Sequence, residues 1–118
     1  MRQLVKTFKA LSDETRLRIL NVLTERECCV CEVMQSLDIS QTRASRNLSA
    51  LYDAGFLKVR RNGLWVLYSI DKKNQSIEYQ NLVEIVGKAL DSNSMAKLDR
   101  QRLQSAERVG PDKICSPV

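Results

Sequence analysis

Histidine is absent from all 118 residues, which removes the side chain most often used as a general base and as a nitrogen ligand for metals. No Gly-rich loop suited to phosphate appears, and no nucleophile has an evident activating partner. Both absences count against an enzyme. No apolar run approaches the roughly 20 residues of a membrane span. The N-terminus, Met1-Arg2-Gln3-Leu4, turns amphipathic at once and lacks the long apolar stretch of a signal peptide. The expectation is a cytoplasmic protein with no membrane partner, in a compartment where thiols stay reduced. No internal repeat is visible.

What remains is the composition of an ordinary globular chain, 43% apolar and 28% charged, of a length suited to one modest core. The net charge is +5, which suggests a polyanionic partner or serves solubility alone. Its distribution is more informative. Between Gln41 and Arg61 stand five cations, Arg43, Arg46, Lys58, Arg60 and Arg61, against one acid, Asp53. Phosphate binding needs a basic segment of this kind.

Apolar spacing predicts the elements. Leu4, Val5, Phe8 and Leu11 mark a first short amphipathic helix, over about 2–10. Ser12-Asp13 supplies capping oxygens for a second, in which Leu17, Ile19, Leu20, Val22 and Leu23 give a wide apolar face ending near Glu25. Val30, Val33, Met34 and Leu37 predict a two-turn helix over 29–37. Ser40 caps a fourth helix over 41–54, whose stripe is Ala44, Leu48 and Leu51, with Gly55 at its left-handed end. Phe56 to Arg61 changes to strand period, Asn62-Gly63 signals a hairpin turn, and Leu64 to Ile70 returns with both faces apolar. A last core helix over 76–90 carries Tyr79, Leu82, Val83, Val86 and Leu90. The expected domain is 1–91, mainly α with a β-hairpin. Residues 92–118 are expected as a polar, partly flexible tail, in which 97–109 has the makings of a charged helix.

A short helix followed at once by a polar-faced one is the helix-turn-helix arrangement, whose second helix enters the major groove. Here its exposed face carries Gln41, Thr42, Ser45 and Arg46, residue types that bond base edges and phosphates. The hairpin tip, Arg60-Arg61-Asn62-Gly63, forms a basic wing. Each residue alone fits a solvated helix face; together they point to double-stranded DNA.

Cys29-Val30-Cys31-Glu32-Val33, followed by Ser40-Gln41, Ser45-Arg46, Leu48, Leu51 and Gly55, resembles the ArsR/SmtB family of metal-sensing repressors. Lys58 to Gly63, with Trp65 and Tyr68, continues the resemblance, which covers about residues 5–90. It implies a winged helix-turn-helix of order α-α-α-α-β-β-α. It also implies a homodimer through the first and last core helices, with Leu4, Phe8, Leu82, Val83, Val86 and Leu90 in the interface. The implied function is a repressor that leaves its operator when metal binds. Asn47 stands where the family commonly has His, at a DNA-contact position.

With no histidine, the family's carboxylate-and-histidine zinc sites are excluded. The thiolate site of the third helix remains, and in the family it marks arsenite and antimonite sensing, which makes As(III) or Sb(III) the implied effector. Cys29 and Cys31 match its two principal ligands; the third family cysteine falls at Met34. Cys28, Cys29 and Cys31 crowd four positions, too close to staple a fold and suited to a soft-metal or redox site. Residues i and i+2 of a regular helix point about 200° apart. Gathering all three sulfurs is therefore expected to distort the start of that helix, and so to move the recognition helix. A redox switch, a Cd(II)/Pb(II) site and a small thiol reductase are alternative uses of the trio. Cys115 reads as a free tail thiol, with a third ligand from the tail or a second subunit left open.

Overall fold

The computed structural model describes residues 1–73 and 76–109; Cys115 lies outside them. The order is α1 (Arg2–Leu11), α2 (Glu14–Leu23), α3 (Val30–Leu37), α4 (Gln41–Asp53), β1 (Leu57–Asn62), β2 (Trp65–Ile70), α5 (Ile77–Leu90) and α6 (Ser94–Ser105). This is the expected winged helix-turn-helix with one further helix. Side-chain oxygens start four of the helices: Asp13, Ser40, Ser76 and Asn93 accept the backbone N–H of Arg16, Arg43, Tyr79 and Ala96. Each satisfies a donor that the first helical turn leaves without a partner.

α3 ends at Asp38, which takes the left-handed conformation at φ 55°. The Ile39 N–H closes back on the Met34 carbonyl at 3.2 Å, so α4 starts after a tight turn. Ala44, Leu48 and Leu51 are fully buried, and the opposite face of α4 is left to solvent. Gly55 has φ +93°, the conformation expected of it. The wing pairs antiparallel from Leu57↔Ile70 to Asn62↔Trp65. Its turn residues are therefore Gly63-Leu64, one position later than Asn62-Gly63, with positive φ confined to Gly63. Cys28 adds a single bridge to the free edge of β2 at Tyr68, through bonds of 3.0 and 2.8 Å.

Phe56, Ile19, Leu20, Leu37, Leu48 and Leu51 fill the main core. The Tyr79 hydroxyl ties α5 to the rest. It donates to the Ala54 carbonyl (3.0 Å), accepts from the Gln3 amide (2.9 Å) and lies 2.7 Å from the Thr7 hydroxyl. α1 and α5 keep apolar side chains outward all the same. Leu4, Phe8 and Ile85 are half or more exposed, and no residue of α5 is fully buried.

α6 occupies part of the stretch expected as a tail, and it packs on α2 and α3. Its docking is mostly polar. Asp99 is completely buried and receives both Nε (2.8 Å) and Nη2 (2.9 Å) of Arg18, whose Nη2 also reaches the Leu37 carbonyl at the end of α3. Arg100 donates to Asn21, and Asn21 to the Ala96 carbonyl. Only Ala96 and Leu103 add buried apolar contact. Removing one partner of a buried ion pair strands the other charge, at a cost of about 3–5 kcal/mol. Asp99→Ala is expected to lose stability of that order in urea unfolding, and Arg100→Ala, whose partner is an amide, markedly less.

Candidate nucleic-acid interface and thiol site

Helical period turns Thr42 and Arg46 of α4 fully outward, with Gln41 and Ser45 at the edge of the same face. Asn47 is employed inside the protein. It accepts from Arg16 Nε (3.1 Å) and donates to the Arg43 carbonyl (2.8 Å). Arg43 stays exposed but is bonded within the protein too, donating to the Thr15 hydroxyl at 2.8 Å. These bonds set the angle between α2 and α4, and sequence reading missed Arg16 because nothing local marks its partner.

On the wing, Arg61 is exposed near the tip. Arg60 forms a two-pronged pair with Glu27, 2.9 Å on one side. The bonded guanidinium holds the Glu27 carboxyl below the usual carboxylate range. All five cations of the basic segment, Arg43, Arg46, Lys58, Arg60 and Arg61, are exposed, with Arg43 bonded to Thr15 and Arg60 to Glu27.

The three clustered cysteines separate into two environments. Cys28 belongs to the main core, pinned at its backbone by Tyr68, with its thiol donating to the Arg26 carbonyl at 3.5 Å. Burial, with Glu32 adding to it, pushes this thiol up to about 12. Cys29 and Cys31 form a second cluster with Leu67, packed by Trp65 and Val109. Their sulfurs are joined in the structure, the α-carbons 5.5 Å apart.

The helical argument against this pair does not apply, because α3 begins one residue later than expected. Cys29 is its N-cap, with extended φ −82° and ψ 171°, so its side chain swings back over Cys31. Among the described residues no three metal-ligating side chains are grouped to hold an ion. The expected three-sulfur nest is therefore not assembled, and two sulfurs converge without unwinding α3.

Glu32 holds this arrangement. Its carboxylate, 3% exposed, accepts the Cys29 N–H (2.9 Å), Arg26 Nη1 (2.5 Å) and Arg108 Nε (3.1 Å). Arg108 belongs to a strap, residues 106–109, that crosses the thiol pair after α6. Gln35 and the Glu107 backbone exchange two bonds, and the Trp65 indole N–H donates to the Val109 carbonyl at 3.0 Å. Period alone could not reveal the strap, since its partners are polar groups far away in the chain.

Leu4 and Phe8 stand outward on α1. Leu82 and Val83 pack partly on the chain's own core, and Val86 and Leu90 are half-buried beside them. No helix among the described residues is long and apolar enough to cross a membrane.

Residues 13–59 match the model of the family described as bacterial regulatory protein, arsR family. The chain is 38% identical over 111 residues to the arsenic resistance transcriptional regulator ArsR2 of Pseudomonas putida, covering 92% of this chain and 93% of that one. It is 45% identical over 67 residues to the arsenical resistance operon repressor of Escherichia coli, covering 56% and 57%. Against three of the curated relatives it matches, the chain spans 50–58% of their length. Among solved structures it resembles a homodimeric winged helix-turn-helix DNA-binding domain from Mycobacterium bovis. There the TM-score is 0.65 and the identity 29%, over 79% of this chain and 82% of that one.

The raised Cys28 value has a testable sign. Folding favours the neutral thiol, so its contribution is complete below about pH 9 and is lost between about 9 and 12 as the unfolded chain ionises first. The stability advantage over Cys28→Ala is expected to be larger at about pH 8 than at about pH 10.5 in parallel denaturant titrations.

Proposed function

This chain belongs to the ArsR family of bacterial regulatory proteins, and from that premise we propose that it is a transcriptional repressor released from operator DNA by trivalent arsenic or antimony at Cys29 and Cys31. One observation carries the reading. The two sulfurs meet at the N-terminus of α3, the first helix of the helix-turn-helix, and against β2 of the wing. A ligand held there touches both parts that address DNA. Thr42, Ser45, Arg46 and Gln41 read the major groove, Arg61 and the tethered Arg60 grip phosphate, and Asn47 sets the helix angle from behind.

The chemistry is a ligand exchange. A thiol reductant first delivers two electrons and two protons to the joined sulfurs, giving two thiols. Arsenous acid then exchanges two hydroxyls for two sulfurs. Two As–O bonds break, two As–S bonds form, the thiol protons leave in two waters, and arsenic stays trivalent. Soft thiolates suit such a centre. An arsenic atom between the sulfurs forces them apart, pushing on Trp65 and Val109. Binding is then tighter in a conformation unfit for DNA, which shifts the population.

A second copy of the chain covers α1 and α5, the interface being Leu4 and Phe8 with Leu82, Val83, Val86 and Leu90. Their outward apolar atoms and the homodimeric Mycobacterium bovis relative support this. A dimer also presents two recognition helices to a two-fold operator. The cytoplasm is the compartment that keeps the pair reduced.

A second reading, a thiol–disulfide switch at the same pair, draws on the joined sulfurs. Fluorescence anisotropy of reduced protein on labelled upstream DNA decides between them. Arsenite is expected to release the DNA, Cys29→Ser and Cys31→Ser to abolish release, and Cys28→Ala to retain it. Arg46→Ala is expected to cost about 1–3 kcal/mol of DNA affinity without touching release. Release by peroxide together with indifference to arsenite assigns the pair to redox sensing.

A further inference from the structure

α1 faces two ways. Leu4 and Phe8 point outward, while Gln3 and Thr7, one position before each, reach Tyr79 of α5. Two polar ties run from this helix to the recognition helix α4. In the first, the Tyr79 hydroxyl accepts from the Gln3 amide and stands 2.7 Å from the Thr7 hydroxyl, while donating to the carbonyl of Ala54, the C-cap of α4. The Tyr79 ring lies against Phe56, centroids 4.9 Å apart, and so close to Gly55 that a β-carbon there would stand 3.3 Å from ring carbon Cε2. The second tie is Arg16. Its Nη1 donates to the Lys9 carbonyl (3.1 Å) and the Ala10 carbonyl (3.5 Å) at the end of α1, and its Nε to Asn47 in the middle of α4 (3.1 Å).

Asn47 and Ala54 stand about 10 Å apart along the helix axis. The stripe of Ala44, Leu48 and Leu51 holds α4 on the core through apolar contacts that carry little direction, whereas hydrogen bonds depend on angle. A rod tied at one point pivots, and one tied at two does not. We propose that Tyr79 and the Arg16–Asn47 pair are positioning residues for operator reading. They fix α4 to α1, and so set the separation and relative angle of the two recognition helices in a dimer. They act through α4 and touch no DNA. The inference rests on the reading that two copies join through α1 and α5 on a two-fold operator. One base pair added between the half-sites moves one of them about 3.4 Å and turns it about 35°. A rigidly held pair of helices meets that mismatch only by deforming the DNA or itself. A pair free to pivot follows the half-sites.

The test is fluorescence anisotropy of the reduced full chain on three duplexes. One is the operator mapped by footprinting on its upstream DNA; the others have one base pair added to or removed from its centre. The readout is the ratio of affinities for native and altered spacing, in which any loss of folded fraction cancels. The wild-type chain is expected to prefer the native spacing by about 10-fold, and Tyr79→Phe combined with Asn47→Ala to bring this to about 3-fold or less. Each single change is expected to lower the ratio on its own, which keeps the test open if the double variant fails to fold. Sedimentation at the same concentrations is expected to show the variants still dimeric. A ratio equal to that of the wild type overturns the proposal. Loss of the dimer overturns it too, and assigns these residues to assembly. A wild-type chain indifferent to spacing removes the two-fold operator reading, and this inference with it.

Discussion

The buried carboxylate of Glu32 is the constraint on which the thiol site depends. Taking one ion out of water costs several kcal/mol even after relaxation, and only close partners offset it. Glu32 has three: Arg26, the backbone of Cys29, and Arg108 from the far end of the chain. The bond to Cys29 makes that residue a helix cap, which is why its sulfur can meet the one on the first turn. The bond to Arg108 closes the strap over both. One side chain thus sets the geometry of the pair and its cover.

A similar economy runs through the DNA-facing side, where several of the surface charges also fix geometry. Arg43 and Arg16 are spent on Thr15 and Asn47, holding α4 against α2. Arg60 is held by Glu27, which precedes Cys28 and its bridge to β2. The wing is therefore anchored at the segment that leads into the cysteines. A disturbance at the thiol pair has short routes to the wing through Trp65 and to the recognition helix through α3.

Much of this was legible in the chain. Ser40 as a cap, the Ala44, Leu48 and Leu51 stripe, Gly55 as terminator and the basic hairpin are local signals, and the structure carries each. α6 was legible only in part: the charged stretch 97–109 had the makings of a helix, and α6 runs Ser94–Ser105, but its docking was not legible, because it goes through Asp99 to Arg18, 81 positions apart, and an ion pair leaves no apolar period. The sequence puts Cys28, Cys29 and Cys31 in one group; the bridge to Tyr68 turns Cys28 into the core. The i, i+2 objection failed by a single residue of helix start, the least local feature of the motif, since Glu32 decides it from within the helix.

On this reading a ligand at the thiol pair acts directly on the wing. Trp65 is the only tryptophan of the chain, sits on β2, and packs against Cys29 and Cys31. Its emission can be followed as an arsenical is added to the reduced protein without DNA. A saturable change at one arsenical per chain, absent in Cys31→Ser, is the expected result. Stoichiometric binding with unaltered Trp65 emission would contradict it.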